Sequence, residues 1–475
     1  MKADVLIVGG GPAGLAAAVE LRRAGAGRVL VVDREAAAGG IPRHCLHTGY
    51  GLRDLHRLLD GPAYARRYAD AAAAAGAEVR AASTVTGWTG QHVVTVTSAR
   101  GVETVEATAV LLATGCRERP RTARLVPGDR PAGVMTTGEL QQRVYLGGQR
   151  LPGRAVVVGA EHVSFSALVT LAHAGAEVVA LVTEHPKHQS YPAFSAAARL
   201  RWHVPVWTST AVRRVAGQRR LAGVELADTR SGATRFVRCD TLVFTGDWIP
   251  DHELARLAGL AIDPGTRGPA VDTTLETSAP LVFAAGNLVH AAETADVAAL
   301  GGRHAARHIL AALAGPPPAA AARVVVTVAP PLSWISPNAI RATAALPAGR
   351  GLPPAQPPRG RFLLRCGEFR RAARIEVRQD GRVLARSRPA SLVPGRPAHL
   401  AGGWVAQVDP GGGPVRVALE GSLAPGIPAS GGLASGGLAS GDLPRGHLPP
   451  GDLASGDLPR SDLPPGDLER GRMEA

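Results

Sequence analysis

The feature that most constrains the fold of this chain is a glycine-rich turn near its N-terminus. An apolar run at residues 5–8 predicts a buried strand, and residues 12–24 predict the helix that follows it. The turn between them has the pattern G-x-G-x-x-G, formed by Gly9, Gly11 and Gly14. The first glycine permits a tight turn, the second lets a pyrophosphate approach the backbone, and the third lets helix and strand pack closely. Asp33 ends the next predicted strand, where an acid binds a ribose, so the sequence predicts a dinucleotide-binding βαβ unit.

A second βαβ pattern follows further along the chain, with strands predicted at 155–158 and 178–182 and a helix at 162–174. Its turn departs from the first one, because Glu161 and Ser164 replace the second and third glycines. A carboxylate at that position repels a pyrophosphate and blocks the backbone. Glu184 is nevertheless placed to bind a ribose and favours NAD over NADP. Two interpretations stay open: this domain binds NAD(H), or it keeps its fold for structure or partner contact.

The predicted fold class is α/β, with two Rossmann-like domains, a small C-terminal β domain and a repeat tail. The first dinucleotide-binding domain is split in sequence into residues 1–118 and 272–316, and the second, at 119–271, is inserted into it. Residues 315–318 read as a linker. Residues 323–420 show short alternating runs and an Asp380-Gly381 turn, which predict an antiparallel β domain. Within the tail at 421–475, leucine recurs at every fifth position from residue 433 to residue 468. A pentapeptide β-helix and a disordered tail both fit this repeat, and the Pro and Gly content favours disorder.

Composition excludes several classes of protein. The formal net charge is +14, but the cations are nearly all arginine, and Ala, Gly and Pro are also abundant, which indicates a GC-rich genome rather than a polyanion partner. No Lys/Arg run with interleaved aromatics occurs, so nucleic-acid binding is not expected. The sequence contains no uncharged apolar stretch long enough to predict a membrane span. The four cysteines have neither C-x-x-C nor zinc-ligand spacing, so we expect no metal site, no disulfide framework and a cytoplasmic location.

Two later segments indicate which dinucleotide the first turn binds. Ala113-Thr114-Gly115 ends one predicted strand. Residues 277–287 resemble T-x-x-x-[VI]-[YF]-A-x-G-D, with one more residue between Thr277 and Val282 and with Asn287 in place of the Asp. With these segments the chain resembles the two-dinucleotide-domain flavoproteins related to the pyridine nucleotide-disulfide oxidoreductases. The resemblance implies FAD at the first turn. The redox dithiol of the disulfide reductases is absent, so thiol–disulfide exchange is not expected.

Residues 39–52 narrow the resemblance, because they match G-G-I-x-x-x-C-x-H-x-G-[FY]-G-L. Together with residues 61–64, 116–119 and 130–138, they are similar to a subgroup that includes the FAD subunits of opine and hydroxyproline dehydrogenases, hydrogen cyanide synthase and a glycerol-3-phosphate-dehydrogenase-associated flavoprotein. The resemblance extends from residue 1 to about 315 and is specific for cofactor and fold rather than for substrate.

The resemblance implies a set of FAD-binding residues, namely Gly9, Gly11, Pro12, Ala13, Gly14, Asp33, Arg34, Gly40, Ile41, Val85, Ala113, Thr114, Gly115, Gly286, Asn287, Asp296 and Val297. Asp296 and Val297 open a predicted helix whose N-terminus faces the flavin C2 carbonyl. The dipole of this helix would stabilise negative charge on reduced flavin.

Two residues near the implied flavin are candidates for catalysis. Cys45 either forms a thiolate–flavin contact or packs as a small buried residue. His47 either acts as a general base beside the flavin or is a loop histidine bonded to the backbone. His290 lies in the loop after Gly286 and is placed to touch the flavin or the pyrophosphate.

The sequence therefore predicts an FAD-dependent oxidoreductase that passes two electrons from a donor to a second acceptor. The donor is a small-molecule redox substrate, either an amine, an amino or hydroxy acid, or NAD(P)H. The alternative is a non-autonomous FAD subunit of a multi-subunit dehydrogenase, in which the central domain docks a partner dehydrogenase or electron-transfer subunit. A flavin-binding scaffold without turnover is a third hypothesis.

Overall fold

The computed structural model describes residues 1–315, 322–341 and 355–422, which belong to one compact unit. The α-helices of these residues are Pro12–Arg23, Gly61–Ala74, Thr137–Gln141, His162–Ala174, Pro192–Trp202, Glu253–Leu257 and Ala295–Leu313. Of the described helices, none has both the length and the apolar character needed to cross a membrane. Part of the predicted linker, at 316–318, and the repeat beyond residue 422 lie outside the described residues.

The N-terminal sheet has seven strands, with Lys2–Val8 parallel to Val29–Val32 on one side and to Gly101–Leu112 on the other. Val282–Ala284 returns much later in the chain and lies parallel to Gly101–Leu112. The remaining strands of this sheet are Glu78–Arg80, Ser83–Gly90 and Val93–Ser98. Val29–Val32 is buried at every position, as expected for an inner strand of a parallel sheet that is covered on both faces.

Two helices meet closely beside the N-terminal sheet. A Cβ atom on Gly302, in Ala295–Leu313, would collide with the backbone carbonyl of Ala13, in Pro12–Arg23. Glycine at this position therefore allows the two helix backbones to approach each other. The core around this contact consists mostly of Ala, Val and Leu, which agrees with a chain in which aromatics are only 4%.

The central sheet has five parallel strands, in the order Val134–Thr136, Thr241–Phe244, Gly153–Val158, Ala176–Val182 and Val206–Trp207. The helix His162–Ala174 follows Gly153–Val158, as predicted. An antiparallel sheet packs beside it, made of Thr210–Ala216, Gly223–Asp228 and Thr234–Arg238. Cys116–Glu118 pairs with Trp248–Pro250 in a short sheet between the two Rossmann-like parts. In the N-terminal part, Thr48–Tyr50 pairs with Leu59–Asp60. The predicted α/β class with two Rossmann-like sheets is confirmed.

The C-terminal β domain has its own core and contains one five-stranded sheet, in the order Ala339–Arg341, Arg323–Val328, Val415–Leu419, Ile375–Gln379 and Arg382–Arg386. A three-stranded sheet consists of Leu332–Ser336, Arg361–Cys366 and Ala398–Ala401, and Arg370–Ala373 pairs with Ala390–Leu392. As the sequence predicts, Asp380 and Gly381 form a tight hairpin turn, with φ of 47° and 80°.

One pairing in the C-terminal β domain differs from the expected antiparallel pattern. Arg323–Val328 and Val415–Leu419 run parallel to each other. Parallel neighbours need a long connection, and here the chain forms the other sheets of the domain between these two strands. The expectation of a wholly antiparallel domain is therefore wrong at this position.

Candidate functional site

The first glycine turn, residues 9–14, has the geometry that a pyrophosphate requires. Gly9 has φ of +110°, and a Cβ there would collide with the Ala113 carbonyl. A Cβ on Gly14 would collide with the Gly9 carbonyl, so this glycine lets helix and strand pack together. A Cβ on Gly11 would meet nothing nearer than Gly40 Cα at 3.9 Å, so the turn is open to a ligand on this side.

The helix that begins at Pro12 leaves its N-terminal N–H groups available to an anion. Its N-cap residue, Gly11, makes no side-chain capping bond, and the first turn contains no acidic residue. Unpaired N–H groups and the positive end of the helix dipole favour a phosphate there. The residues of the first glycine turn therefore fit the pyrophosphate of FAD.

Asp33 lies at the end of the strand Val29–Val32 and is 7% exposed. One carboxylate oxygen accepts a hydrogen bond from the Gly10 N–H at 2.6 Å, and the other accepts one from the Glu35 N–H at 2.8 Å. Each oxygen can accept a further bond, so the predicted ribose contact is compatible with this arrangement. Asp33 also holds the glycine turn in place, a role that its position in the sequence does not reveal.

The remaining implied FAD-binding residues near the first turn come from three segments. Gly40 approaches Gly11, since a Cβ on Gly40 would lie 2.9 Å from Gly11 Cα, and Ile41 beside it is 54% exposed. Arg34 is exposed, and one of its nitrogens lies 3.6 Å from Asp251 Oδ2. Val85 is buried in the strand Ser83–Gly90.

The strand-end segment 113–115 connects the two Rossmann-like parts of the chain. The Thr114 hydroxyl donates to the Asp251 carbonyl at 2.8 Å, and the Asp251 N–H donates to the Gly115 carbonyl at 3.0 Å. Ala113 is buried, and its N–H donates to the Val8 carbonyl at 2.8 Å. These bonds place the segment directly beside the end of the first strand.

The closing loop, residues 286–296, contains all but one of the remaining implied ligands, and the last, Val297, follows it in the helix Ala295–Leu313. Gly286 faces Ala13, and a Cβ on this glycine would lie 2.8 Å from the Ala13 Cβ. The Asn287 amide nitrogen donates to the Glu293 carbonyl at 3.1 Å, and its oxygen accepts from the Glu293 N–H at 2.8 Å. Asn287 therefore closes the loop, while each amide atom keeps capacity for one further bond toward a ribityl hydroxyl.

Asp296 lies in the first turn of the helix Ala295–Leu313 and is 1% exposed. Its Oδ2 lies 3.0 Å from a guanidinium nitrogen of Arg53, and its Oδ1 accepts the N–H of Val297 at 3.0 Å and the hydroxyl of Thr294. The resemblance places the start of this helix at the flavin C2 carbonyl. The positive charge of Arg53 therefore lies at the N-terminus of the helix, where the helix dipole is also positive.

Cys45 is buried, and its thiol donates to the side-chain oxygen of Gln141 at 3.3 Å. Burial raises the pKa of this thiol to about 11, so it is protonated at neutral pH. A thiolate–flavin contact is therefore unfavourable, and the geometry favours the alternative of a packed small residue. His47 lies nearby in a partly exposed loop, with its Nδ1 3.0 Å from the Thr48 carbonyl.

The second glycine turn, residues 159–164, is filled by its own side chains. The Glu161 carboxylate accepts from the Thr245 hydroxyl at 2.5 Å and from the Ala160 N–H at 2.9 Å. The Ser164 hydroxyl lies 2.8 Å from the Thr245 hydroxyl. Glu161 therefore engages a backbone donor of the turn and places negative charge where a pyrophosphate would lie.

A neighbouring segment folds over the second glycine turn. The N–H groups of Gln189 and Ser190 both donate to the Ala160 carbonyl, at 3.0 and 3.1 Å. Arg396, from the C-terminal β domain, donates to the carbonyls of both residues, with its Nε 2.5 Å from the Gln189 oxygen. The residues at the second turn therefore do not fit a dinucleotide, in contrast to those at the first.

Several residues near the closing loop were not found from the sequence. Arg365, from the strand Arg361–Cys366, is buried, and its guanidinium donates to the Ala292 carbonyl at 2.8 Å. Its nitrogen also lies 3.5 Å from the Glu293 carboxylate, and burial raises the pKa of Glu293 to about 7. The only signal in the sequence is an arginine within an apolar strand pattern.

Glu118 is a second buried acid, and no sequence motif indicates its environment. It accepts the N–H of Gly138 at 2.8 Å and that of Gly246 at 3.2 Å, and burial raises its pKa to about 7. It lies in the short strand through which the chain passes between the two Rossmann-like parts. Its bonds to the helix Thr137–Gln141 and to the loop at Gly246 indicate a structural role.

Fold and site together define a flavoprotein class with one intact and one altered dinucleotide-binding turn. A family model described as pyridine nucleotide-disulphide oxidoreductase matches residues 3–302, and the chain belongs to this family. The predictions of an FAD-dependent oxidoreductase and of FAD as its cofactor are confirmed at the level of the family.

Two curated relatives and one solved structure show where the similarity lies. An opine oxidase subunit of Agrobacterium tumefaciens is 37% identical over 167 residues, covering 33% of this chain and 32% of that protein. The HcnB subunit of hydrogen cyanide synthase from Pseudomonas aeruginosa is 33% identical over 159 residues, covering 34% of each protein. The match thus spans about a third of the length of these relatives. Thioredoxin reductase of T. acidophilum has the same fold, with a TM-score of 0.57, 23% identity, and coverage of 66% of this chain and 99% of that chain.

Proposed function

We propose that this protein oxidises a small organic donor directly at its flavin, without NAD(P)H, and passes two electrons to a second acceptor. The donor is an amine, an amino acid or a hydroxy acid. The observation that carries the proposal is the contrast between the two glycine turns. The first is open at Gly11, whereas the second is filled by Glu161.

The first turn, the strand ends and loops beside it, and the closing loop with the start of the helix that follows are the proposed FAD site, with the seventeen implied residues as its ligands. Bound there, FAD supplies a two-electron acceptor. The chain's own residues position it: Asp33 fixes the glycine turn, and Asn287 fixes the closing loop. The N-terminus of the helix Ala295–Leu313 and the charge of Arg53 favour negative charge at the implied pyrimidine end.

His47 is the residue we propose as the general base. A hydrogen bond from its Nδ1–H to the Thr48 carbonyl would fix the tautomer in which Nε2 carries the lone pair. That nitrogen can take the proton that a hydroxyl or amino group loses as the donor is oxidised. Cys45 is proposed to pack next to Gln141 as a neutral thiol rather than to react.

The test is anaerobic reduction of the purified, flavin-loaded full chain. NADH, NADPH and a panel of amines, amino acids and hydroxy acids are mixed with it, and loss of the visible absorbance of oxidised flavin is followed. We expect reduction by a member of the panel and none by either nicotinamide. Rapid reduction by NADH would contradict the proposal, and failure of every donor would favour the hypothesis of a scaffold without turnover.

A second candidate function is an FAD subunit of a larger dehydrogenase, with the central part as a docking module. It is favoured by the names of two relatives, which are subunits of opine oxidase and of hydrogen cyanide synthase. Copurification of the tagged full chain from its native cells with a second redox protein would support it. A monomer that reduces its flavin and turns over alone would count against it.

A further inference from the structure

The three-stranded sheet of the C-terminal β domain has two chemically different faces. Side chains alternate along a strand, so neighbours in Arg361–Cys366 point to opposite sides. Phe362 and Leu364 pack into the domain core. Arg361 and Arg365 therefore lie on the other face, where Trp334 pairs with Arg365 and His399 pairs with Leu363.

This second face lies against the closing loop of the flavin site. The Arg365 guanidinium contacts the Ala292 carbonyl at 2.8 Å and lies 3.5 Å from the Glu293 carboxylate. The Trp334 ring stacks on His290 with 5.9 Å between ring centroids. The C-terminal β domain thus forms one side of the site in which the flavin's pyrimidine end is proposed to lie.

Positive charge is in excess at this side of the site. We use the name cationic wall for Arg53, Arg359, Arg361 and Arg365. Arg53 pairs with the buried carboxylate of Asp296, Arg365 pairs with that of Glu293, and Arg359 and Arg361 lie near Arg53 and His399. Among the residues that the structure describes, neither Arg359 nor Arg361 makes an ion pair.

The arginines of the cationic wall are close enough to perturb one another. Burial, and then the charges of Arg361 and Arg53, lower the pKa of the Arg359 guanidinium. Burial and the same arginines also lower the pKa of His399, which keeps its imidazole neutral at neutral pH. Such mutual repulsion costs free energy in the absence of an anion and is relieved when one binds.

We propose that the cationic wall binds the carboxylate group of the electron donor, so that the donor is an amino acid or a hydroxy acid rather than a simple amine. The inference rests on the proposed function and narrows its substrate. A guanidinium presents a planar pair of donors that matches a carboxylate, and the exposed Arg359 and the partly exposed Arg361 keep those donors available. The C-terminal β domain, which lies beyond the residues that the family model matches, thereby determines specificity.

The first test is a titration of the flavin-loaded full chain with acetate, pyruvate and benzoate, each beside its neutral amide. The readout is the shift in the visible flavin spectrum. Carboxylates are expected to shift it and amides are not. Arg359→Gln and Arg361→Gln should each raise the carboxylate Kd on the order of tenfold, because each removes one charge-assisted hydrogen-bonding partner.

The matched control is Arg388→Gln, which removes an exposed arginine that follows the strand Arg382–Arg386 in the other sheet of the same domain. It should leave the carboxylate Kd unchanged. Both test residues are exposed or partly exposed, so loss of folding is not expected, and thermal unfolding of each variant checks this.

Each result supports or overturns the inference. Binding of inorganic phosphate without binding of any carboxylate would overturn it, and so would amides that bind as tightly as carboxylates. A fall in the flavin midpoint potential of Arg359→Gln at an unchanged carboxylate Kd would assign the arginines to the flavin instead. Carboxylate binding with the expected variant pattern, in a protein that no donor reduces, would refute the proposed function and leave the anion site standing.

Discussion

Replacing Glu161 by glutamine or glycine is expected to give the second glycine turn an affinity for NADH that the natural chain lacks. In the structure, the Glu161 carboxylate accepts from the Ala160 N–H and the Thr245 hydroxyl and so lies within the turn. A pyrophosphate bound there would need the same backbone donor. Glutamine removes the charge and keeps the bulk, whereas glycine removes both.

The size of the effect follows from the charge. A phosphate charge about 4 Å from the carboxylate meets a repulsion of about 4 kcal/mol at an effective dielectric constant of about 20. That energy corresponds to roughly a thousandfold in Kd. Glu161→Gln should recover much of this factor, and Glu161→Gly should recover more because the backbone also becomes accessible. The lost hydrogen bonds should lower the free energy of unfolding by about 1–2 kcal/mol.

The assay is isothermal titration of flavin-loaded protein with NADH, with anaerobic flavin reduction as a second readout. The natural chain should show no saturable binding at millimolar NADH. Micromolar binding by the natural chain would refute the reasoning from charge. Equal affinities of the glutamine and glycine variants would show that the backbone of the turn is not what limits access.

Four further substitutions test the first site. Asp33→Asn should weaken FAD binding about tenfold, because the side-chain NH₂ group must then face a backbone N–H that a carboxylate oxygen now accepts. The fluorescence of flavin released on dilution measures this loss, and unchanged flavin retention would contradict the prediction. Cys45→Ala should leave the rate of flavin reduction unchanged between about pH 6 and 9, because the thiol has a pKa of about 11; loss of activity in this variant would support a thiolate–flavin contact. His47→Asn should slow flavin reduction by about 10²–10⁴-fold in stopped-flow measurements, because it removes the proposed general base. Burial raises the folded-state pKa of Glu293 to about 7. The stability that its protonated form contributes is therefore full below the unfolded pKa of about 4.3 and is lost as the pH rises through about 7. Glu293→Gln should flatten this pH dependence of the free energy of unfolding in denaturant; an unchanged pH profile would show that Glu293 does not cause it.

Much of the fold could be predicted from sequence because local signals, such as glycines at helix ends, mark where its elements begin and end. The predicted helix 162–174 agrees with the structure, because Gly175, in the left-handed conformation with φ of +86°, ends the helix there. The first βαβ unit was equally clear, since glycine spacing and strand patterning are both local. The parallel pairing of Arg323–Val328 with Val415–Leu419 is long-range, and no local pattern encodes it.

The candidate site was predicted less completely, because its properties depend on residues distant in sequence. The environment of Cys45 is set in part by Gln141, and that of Glu293 by Arg365. An arginine in a chain so rich in arginine carries little information until the tertiary fold shows which face of a sheet it occupies. The sequence shows that Glu161 replaces a glycine of the second turn. It does not show that the Glu161 carboxylate accepts a hydrogen bond from the Ala160 N–H of the same turn.

The position of Val415–Leu419 in the middle of its sheet has a consequence for biosynthesis. The ribosome completes the helix Ala295–Leu313, and with it the first glycine turn and the closing loop, well before this strand emerges. Because N-terminal parts fold first during synthesis, FAD can be loaded on the nascent chain while the C-terminal β domain still lacks its central strand. Cofactor capture can therefore precede completion of the cationic wall, and a truncation just before Val415 should yield a coloured protein with no selectivity for carboxylates.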